Sequence, residues 1–177
     1  MSGITRRTFG NRRFGGDLEV TGKMKSQNNV ITVVPGECIP DGWASGTLDI
    51  ITQGLTYAAS AAAEVFHLGK ALFQSLLGAS IKITKIIVFF ANSNINTFYD
   101  DFTFGHVSLN PAMSIDSDYT DPNSYGTETT GNQNHEHDPI NVTLTNTNLA
   151  YAIQMDITVV GGQTFELLGF KIYFDTV

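Results

Sequence analysis

One cysteine, one tryptophan, five prolines and few charges leave little from which several common kinds of protein are built. Cys38 stands alone, so no intrachain disulfide forms and the fold depends on packing, which fits a reducing compartment. Charged residues are 15% of the chain, against a usual quarter. A surface so poor in charge is easily buried against copies of itself, because interface cores are depleted of charge. Cations are the scarcest: from Ile86 to Phe170 there is neither Lys nor Arg. A body without clustered cations does not grip nucleic acid through its phosphates. Long apolar runs are also missing. Leu55–Ala79 comes nearest to one, but Glu64, His67 and Lys70 interrupt it, so no membrane-spanning helix is expected. The arginines near the start lead into Gly and Asp rather than an apolar run, so no secretory leader is expected. Gly-x-Ser-x-Gly elbows, phosphate-cradling glycine loops and zinc-type cysteine pairs do not occur.

What is present points to strands. The 177 residues suit one domain, and Asn, Thr, Ser and Gly fill the place of charge beside twelve Phe and six Tyr. The net charge of −7 is unevenly spread. Residues 1–25 carry six cations against Asp17 and Glu19, or +4, which leaves −11 on the rest. Residues 1–16 hold two short arginine–phenylalanine–glycine steps and no sustained periodicity. They read as a basic N-terminal arm in which Arg6, Arg7, Phe9, Arg12, Arg13 and Phe14 seat on a neighbouring subunit, or else as a plain tail. Residues 17–177 then form a single β-sandwich domain.

Strand patterns cover 17–25, 30–34 and 47–52. Residues 55–77 place Leu55, Ala59, Ala62, Phe66, Gly69, Phe73 and Leu76 at helical steps, predicting one helix, with two strands as the competing reading. In 81–91, Ile81, Ile83, Ile87 and Phe89 oppose Lys82, Thr84, Ile86, Val88 and Phe90, and the second half is apolar on both faces. Residues 92–139 are polar and turn-rich and read as a long loop region. Strands return at 141–145 and 151–160, and Gly161-Gly162 offers a hairpin turn into 164–175. There Phe165 and Leu167 fall out of step with Phe170, Ile172 and Phe174, so a bulge is expected near Leu168-Gly169. The whole predicts a mainly β fold: a two-sheet antiparallel, jelly-roll-like sandwich with one helix near 55–77 and an extended N-terminal arm.

Chemistry is sparse, and no enzyme is expected. Cys38 lacks a partner signature, and Asp100-Asp101 would point to opposite faces of a strand. No cofactor is called for. Two stretches are candidate metal sites. His135 and His137 flank one residue and project from the same side of an extended chain, though two donors need others to complete a site. Asp116, Asp118 and Asp121 crowd together, but Asp121 and Thr127 stand where a calcium-binding EF-hand needs Gly and Glu. The plain reading of each is a solvated polar loop.

The segment Gly16-Asp17-Leu18-Glu19-Val20-Thr21-Gly22 resembles short motifs of phage fibre and appendage proteins. His135-Glu136-His137 is similar to the His-x-His motifs that meet on the threefold axis of trimeric phage fibres. A basic arm ahead of a sandwich resembles single jelly-roll capsid proteins and trimeric decoration proteins of phage heads. The resemblance implies a virion structural protein, a capsid or capsid-decorating subunit assembled in the host cytoplasm. Its expected partners are copies of itself, as a trimer or larger shell, and other virion proteins, with nucleic acid or membrane touched only through the arm. Two other readings compete. One is a fibre head that binds a receptor through residues 92–139. The other is a carbohydrate-binding β-sandwich module with Trp43, Tyr119 or Tyr125 as stacking platforms.

Overall fold

The computed structural model describes residues 29–40, 46–48, 54–68, 81–107, 115–144 and 150–176. Residues 1–28 lie outside it, so the expected strand at 17–25 and the six residues of the arm are not part of the described structure. So does Trp43.

The described strands are β1 (Val30–Val33), β2 (Cys38–Pro40), β3 (Gly46–Leu48), β4 (Leu55–Tyr57), β5 (Ala61–Leu68) and β6 (Ile81–Asn92). They continue with β7 (Phe98–Val107), β8 (Ile115–Asp121), β9 (Gly131–His137), β10 (Val142–Leu144), β11 (Ala150–Thr158) and β12 (Phe165–Thr176). Every described pairing is antiparallel, in two sheets. In the larger sheet, β6 and β12 form the central pair. The far edge of β6 takes β9 and β10 in succession, and that of β12 takes β1 and β4, with β3 beyond β4. The smaller sheet runs β2-β5-β11-β7-β8. One apolar core lies between them, as expected for a mainly β sandwich.

Aromatic pairs join the layers. Phe66 of β5 meets Phe170 of β12 edge-on at 5.7 Å, and Tyr99 of β7 meets Phe90 of β6 at 5.2 Å. Phe90 stacks on Phe165 within the larger sheet at 5.6 Å. Such contacts add to the burial of rings already removed from water.

Bulges keep the apolar sets pointed inward. Along β12, Phe165 and Leu167 face the core, the register shifts at Leu168, and Phe170, Ile172 and Phe174 face it again. That is the bulge the sequence demands. A second one on β6 corrects the sequence reading. Ile83 pairs with Phe174 but Lys85 with Tyr173, so Thr84 is the extra residue. Ile81 and Ile83 therefore share the interior with Ile86, Val88 and Phe90, while Phe89 is only half-buried outside.

Three further expectations are corrected. Over its described part, 55–68, the segment predicted as a helix forms β4 and β5. Ala-rich periodicity misleads there, since Ala59 and Ala62 are exposed while β5 is held between β2 and β11. Residues 69–77 lie outside the described residues. The region 92–139 is no long loop, because it supplies β7, β8 and β9 to both sheets. Its polarity is that of strands with one wet face: Phe102 and Phe104 are buried while Asp101 is exposed. Lastly, Gly161-Gly162 does form a turn, with Gln163 N donating to Val160 O at 3.0 Å, but it carries the chain from one sheet to the other. The strands on either side bury their apolar faces from opposite layers and cannot pair. Among the described residues no helix is long and apolar enough to cross a membrane.

Candidate functional site

At one end of the sandwich, the tip of β8, the connection 122–130 and strand β9 come together over β7. The connection is tied down by a reciprocal pair of backbone bonds between Tyr99 and Tyr125, at 2.8 and 3.2 Å. Asn92, the last residue of β6, pins it from below. Its buried Nδ2 donates its two hydrogens to the carbonyls of Thr97 (2.8 Å) and Gly126 (2.7 Å), shares one with that of Asn94 (3.1 Å), and its Oδ1 accepts from Gln133 Nε2 at 2.7 Å. An amide ending an apolar strand on its inward parity is the only signal the sequence carries for it.

The residues held in this way form a buried polar network. Asp121 of β8, Tyr99 of β7 and His137 of β9 meet across the two sheets. His137 Nε2 lies 3.0 Å from Tyr99 Oη, and its Nδ1 lies 3.1 Å from Asp121 Oδ2. Tyr125 Oη donates to the same carboxylate oxygen at 2.6 Å, while Asn123 N and Nδ2 donate to Asp121 Oδ1 at 3.2 and 2.7 Å. The His137 imidazole stacks on Phe102 at 3.7 Å, and that of His135 stacks on Tyr125 at 3.6 Å.

Burial and donors set the protonation. Burial alone pushes the Asp121 carboxyl up, but the Tyr125, Asn123 and His137 donors outweigh it and bring it down to about 2. His137 is lowered to about 4, chiefly by burial, with the Asp121 bond opposing. Burial also lowers His135, and Asp121 again opposes. Tyr125 is pushed up to about 12 by burial and by its bond to Asp121, and burial pushes Tyr99 up further still. At neutral pH the network is thus an Asp carboxylate, neutral imidazoles and protonated phenols. Hydrogen-bond logic puts the His137 proton on Nδ1, facing the acceptor-only carboxylate, and lets Nε2 accept from Tyr99.

An acid weakness follows. His137 titrates near 4 in the folded protein against 6.5 ordinarily, so protons favour the unfolded chain. The stability it contributes is full above pH 6.5 and is lost as pH falls toward 4. The depressed Asp121 adds a further loss between 3.8 and 2. Urea unfolding with a chelator present should show about 3 kcal/mol less stability at pH 4 than at pH 7. A flat profile would contradict the network.

The sequence candidates divide here. His135 and His137 share a face of β9, with ring centroids 4.9 Å apart, and Asp121 joins them from the same chain. Asp116 and Asp118 do not. They flank His106, with Asp118 Oδ2 2.9 Å from Nδ1 and Asp116 Oδ2 3.5 Å from Nε2. Residues 116–121 are strand rather than calcium loop, and Asp121 shares the inward parity of half-buried Tyr119. Asp100 and Asp101 also depart from expectation. Asp101 adopts φ 48°, the register slips beside Asp156, and the three carboxylates lie within 4.8 Å of one another. Burial first, then Asp101 and Asp156, raises Asp100.

Beside the network opens a cleft of about 370 Å³, lined by Phe90, Tyr125, His135, Gln133, Asn134 and the backbone and side chains of 124–129. Both nitrogens of buried His137 are engaged by Tyr99 and Asp121. The cleft offers rings, amides and hydroxyls for holding a ligand. Of the expected stacking platforms, Tyr125 lines it, while Tyr119 packs edge-on against Phe102 at 6.3 Å.

No family model matches this chain, and no curated protein matches it. Among solved structures, a family two carbohydrate esterase from Cellvibrio japonicus aligns with a TM-score of 0.43 and 9% identity, over 83% of this chain and 33% of that one. A structure described as CBM4 aligns with a TM-score of 0.47 and 12% identity, over 81% of this chain and 96% of that one. With TM-scores below 0.5, neither likeness bears on what this chain does.

Proposed function

We propose that this chain is a carbohydrate-binding β-sandwich module whose site is the cleft between the 124–129 connection and β9. The observation that carries this reading is the lining of the cleft. Phe90, Tyr125 and His135 supply apolar ring surface, while Ser124, Thr127, Glu128, Thr129 and Asn134 supply hydroxyl, carboxylate and amide groups. Sugars have the same mixture, with a C–H face and a rim of hydroxyls that both donate and accept. The local charge supports a neutral ligand. Glu128 is among the described residues that line the cleft and no Lys or Arg is, so phosphates and other anions find no counter-charge in that lining. The virion reading rests on residues 1–16 and on the motif at 16–22, which lie outside the described residues, and on His135-Glu136-His137, whose rings here contact Tyr125, Phe102 and Tyr99 of the same chain. Nothing in the described sandwich favours it.

Titration calorimetry against a panel of neutral oligosaccharides tests the proposal. Asn134 and Glu128 are exposed and can be changed without touching the core. Asn134→Ala and Glu128→Ala should each weaken binding about tenfold, as expected for one lost hydrogen bond to a ligand. Absence of binding across the panel, or affinity unaltered in both variants, would sink the reading.

A further inference from the structure

The geometry points to a divalent transition-metal site, of the class that takes zinc, formed by Asp121, His135 and His137. This inference stands on the three side chains alone and does not depend on the carbohydrate reading.

One ligand atom from each residue lies within 4.8 Å of the other two. His137 Nδ1 and Asp121 Oδ2, 3.1 Å apart, already have nearly the spacing of two donors on one tetrahedral zinc, about 3.3 Å for bonds near 2.0 Å. The donor chemistry selects the metal. Two imidazoles and one carboxylate suit zinc, cobalt, nickel or copper, whereas calcium and magnesium want oxygens.

A purely structural network accounts for His137 and Asp121 but not for His135. Both His137 nitrogens and both Asp121 oxygens have hydrogen-bond partners. Among the described residues no hydrogen bond occupies the His135 ring, which is instead held by its stack on Tyr125 at 3.6 Å. It is an oriented imidazole with a lone pair to give, two residues along the strand from a second imidazole.

The surroundings fit metal ligation. Tyr125 Oη and the Asn123 amides fix the carboxylate, and Tyr99 fixes the far nitrogen of His137. Ligands oriented by such outer bonds hold metals best. Binding moves one proton within His137 and releases none from it. Nδ1 gives up its hydrogen to coordinate, Nε2 takes one, and the Tyr99 hydroxyl rotates its own hydrogen aside so that its oxygen accepts from Nε2. Three protein donors leave a fourth position, and His135 and Tyr125 also line the cleft, so that position adjoins it.

Tag-free full-length protein, stripped with a chelator, would be titrated with ZnCl₂ and separately with CoCl₂. The expected result is one tightly held equivalent, with the visible absorption of tetrahedral cobalt and a raised melting temperature. His135 is half-buried, so His135→Gln should stay folded by circular dichroism while its zinc affinity falls at least about 100-fold. His106→Gln, which removes the histidine held by Asp116 and Asp118, should bind as the parent does. The proposal is overturned if the parent protein retains no metal. It is equally overturned if His135→Gln binds normally, or if His106→Gln is the variant that loses the metal. Loss of metal binding with glycan binding intact would leave the cleft proposal standing, and the converse would leave this one.

Discussion

His137→Ala should lower the unfolding free energy by about 4 kcal/mol, among the largest losses of any single side chain in the molecule. The His137 side chain is 0% exposed and its ring stacks on Phe102 at 3.7 Å, so truncation opens a hole under an aromatic ring. It also strips a partner from the Tyr99 hydroxyl, whose residue is fully buried. An orphaned buried hydroxyl costs about 1–3 kcal/mol, and the cavity supplies the remainder. Urea denaturation monitored by far-UV circular dichroism gives the number. Tyr99→Phe in the same background should cost less than it does alone, because its partner is already gone. A loss below about 1 kcal/mol for His137→Ala would mean that the two sheets are not joined through this network.

Gly169→Val should be about as damaging. Gly169 sits just beyond the β12 bulge at φ 135°, a conformation essentially reserved for glycine, which costs another residue about 1–3 kcal/mol. A Cβ there would also stand 2.5 Å from the Val33 carbonyl oxygen of β1, a backbone atom that has no other rotamer to move to. Strain and collision together predict a loss of about 3–5 kcal/mol. Gly161→Ala is the control. Nothing lies within 4 Å of its added methyl, so it should change stability by less than about 0.5 kcal/mol. If both substitutions proved mild, the bulge would be tolerating side chains that its geometry forbids.

That bulge is legible in the sequence, because Phe165 and Leu167 cannot share a face with Phe170, Ile172 and Phe174 unless a residue is inserted. The β6 bulge was not. Ile86, Ile87, Val88 and Phe89 are all apolar, and a run without polar residues hides the change of parity at Thr84. The helix prediction failed for a related reason. Alanine is equally at home on the wet face of a strand, and nothing in Leu55–Leu68 records that β2 and β11 wait on either side of β5. In the region 92–139, charge and amides mark the solvent faces of strands, a pattern that in sequence alone matches loop as well.

The site was half visible. His135 and His137 announce a shared face by their spacing. Asp121 does not, because it reaches them from another strand of the opposite sheet. Its separation from Asp116 and Asp118 depends on the β8 register, which shifts where Phe104 pairs with Tyr119 and Gly105 with Ser117. Asn92 was missed altogether, since an isolated asparagine after an apolar strand looks like the start of a turn.

Asn92 has a further consequence. A single amide holds the carbonyls of Asn94, Thr97 and Gly126, and through Gln133 it reaches β9. Thr127, Glu128 and Thr129 ride on that clamp with their side chains in solvent. The shape of the cleft is therefore set by that clamped backbone, while part of its chemistry is set by Thr127, Glu128 and Thr129, whose exposed side chains make no described hydrogen bond. Specificity in such a site is free to drift by point substitution at three adjacent positions, at little cost to folding. Descendants of one sandwich would then differ in what they hold long before they differ in how they are built.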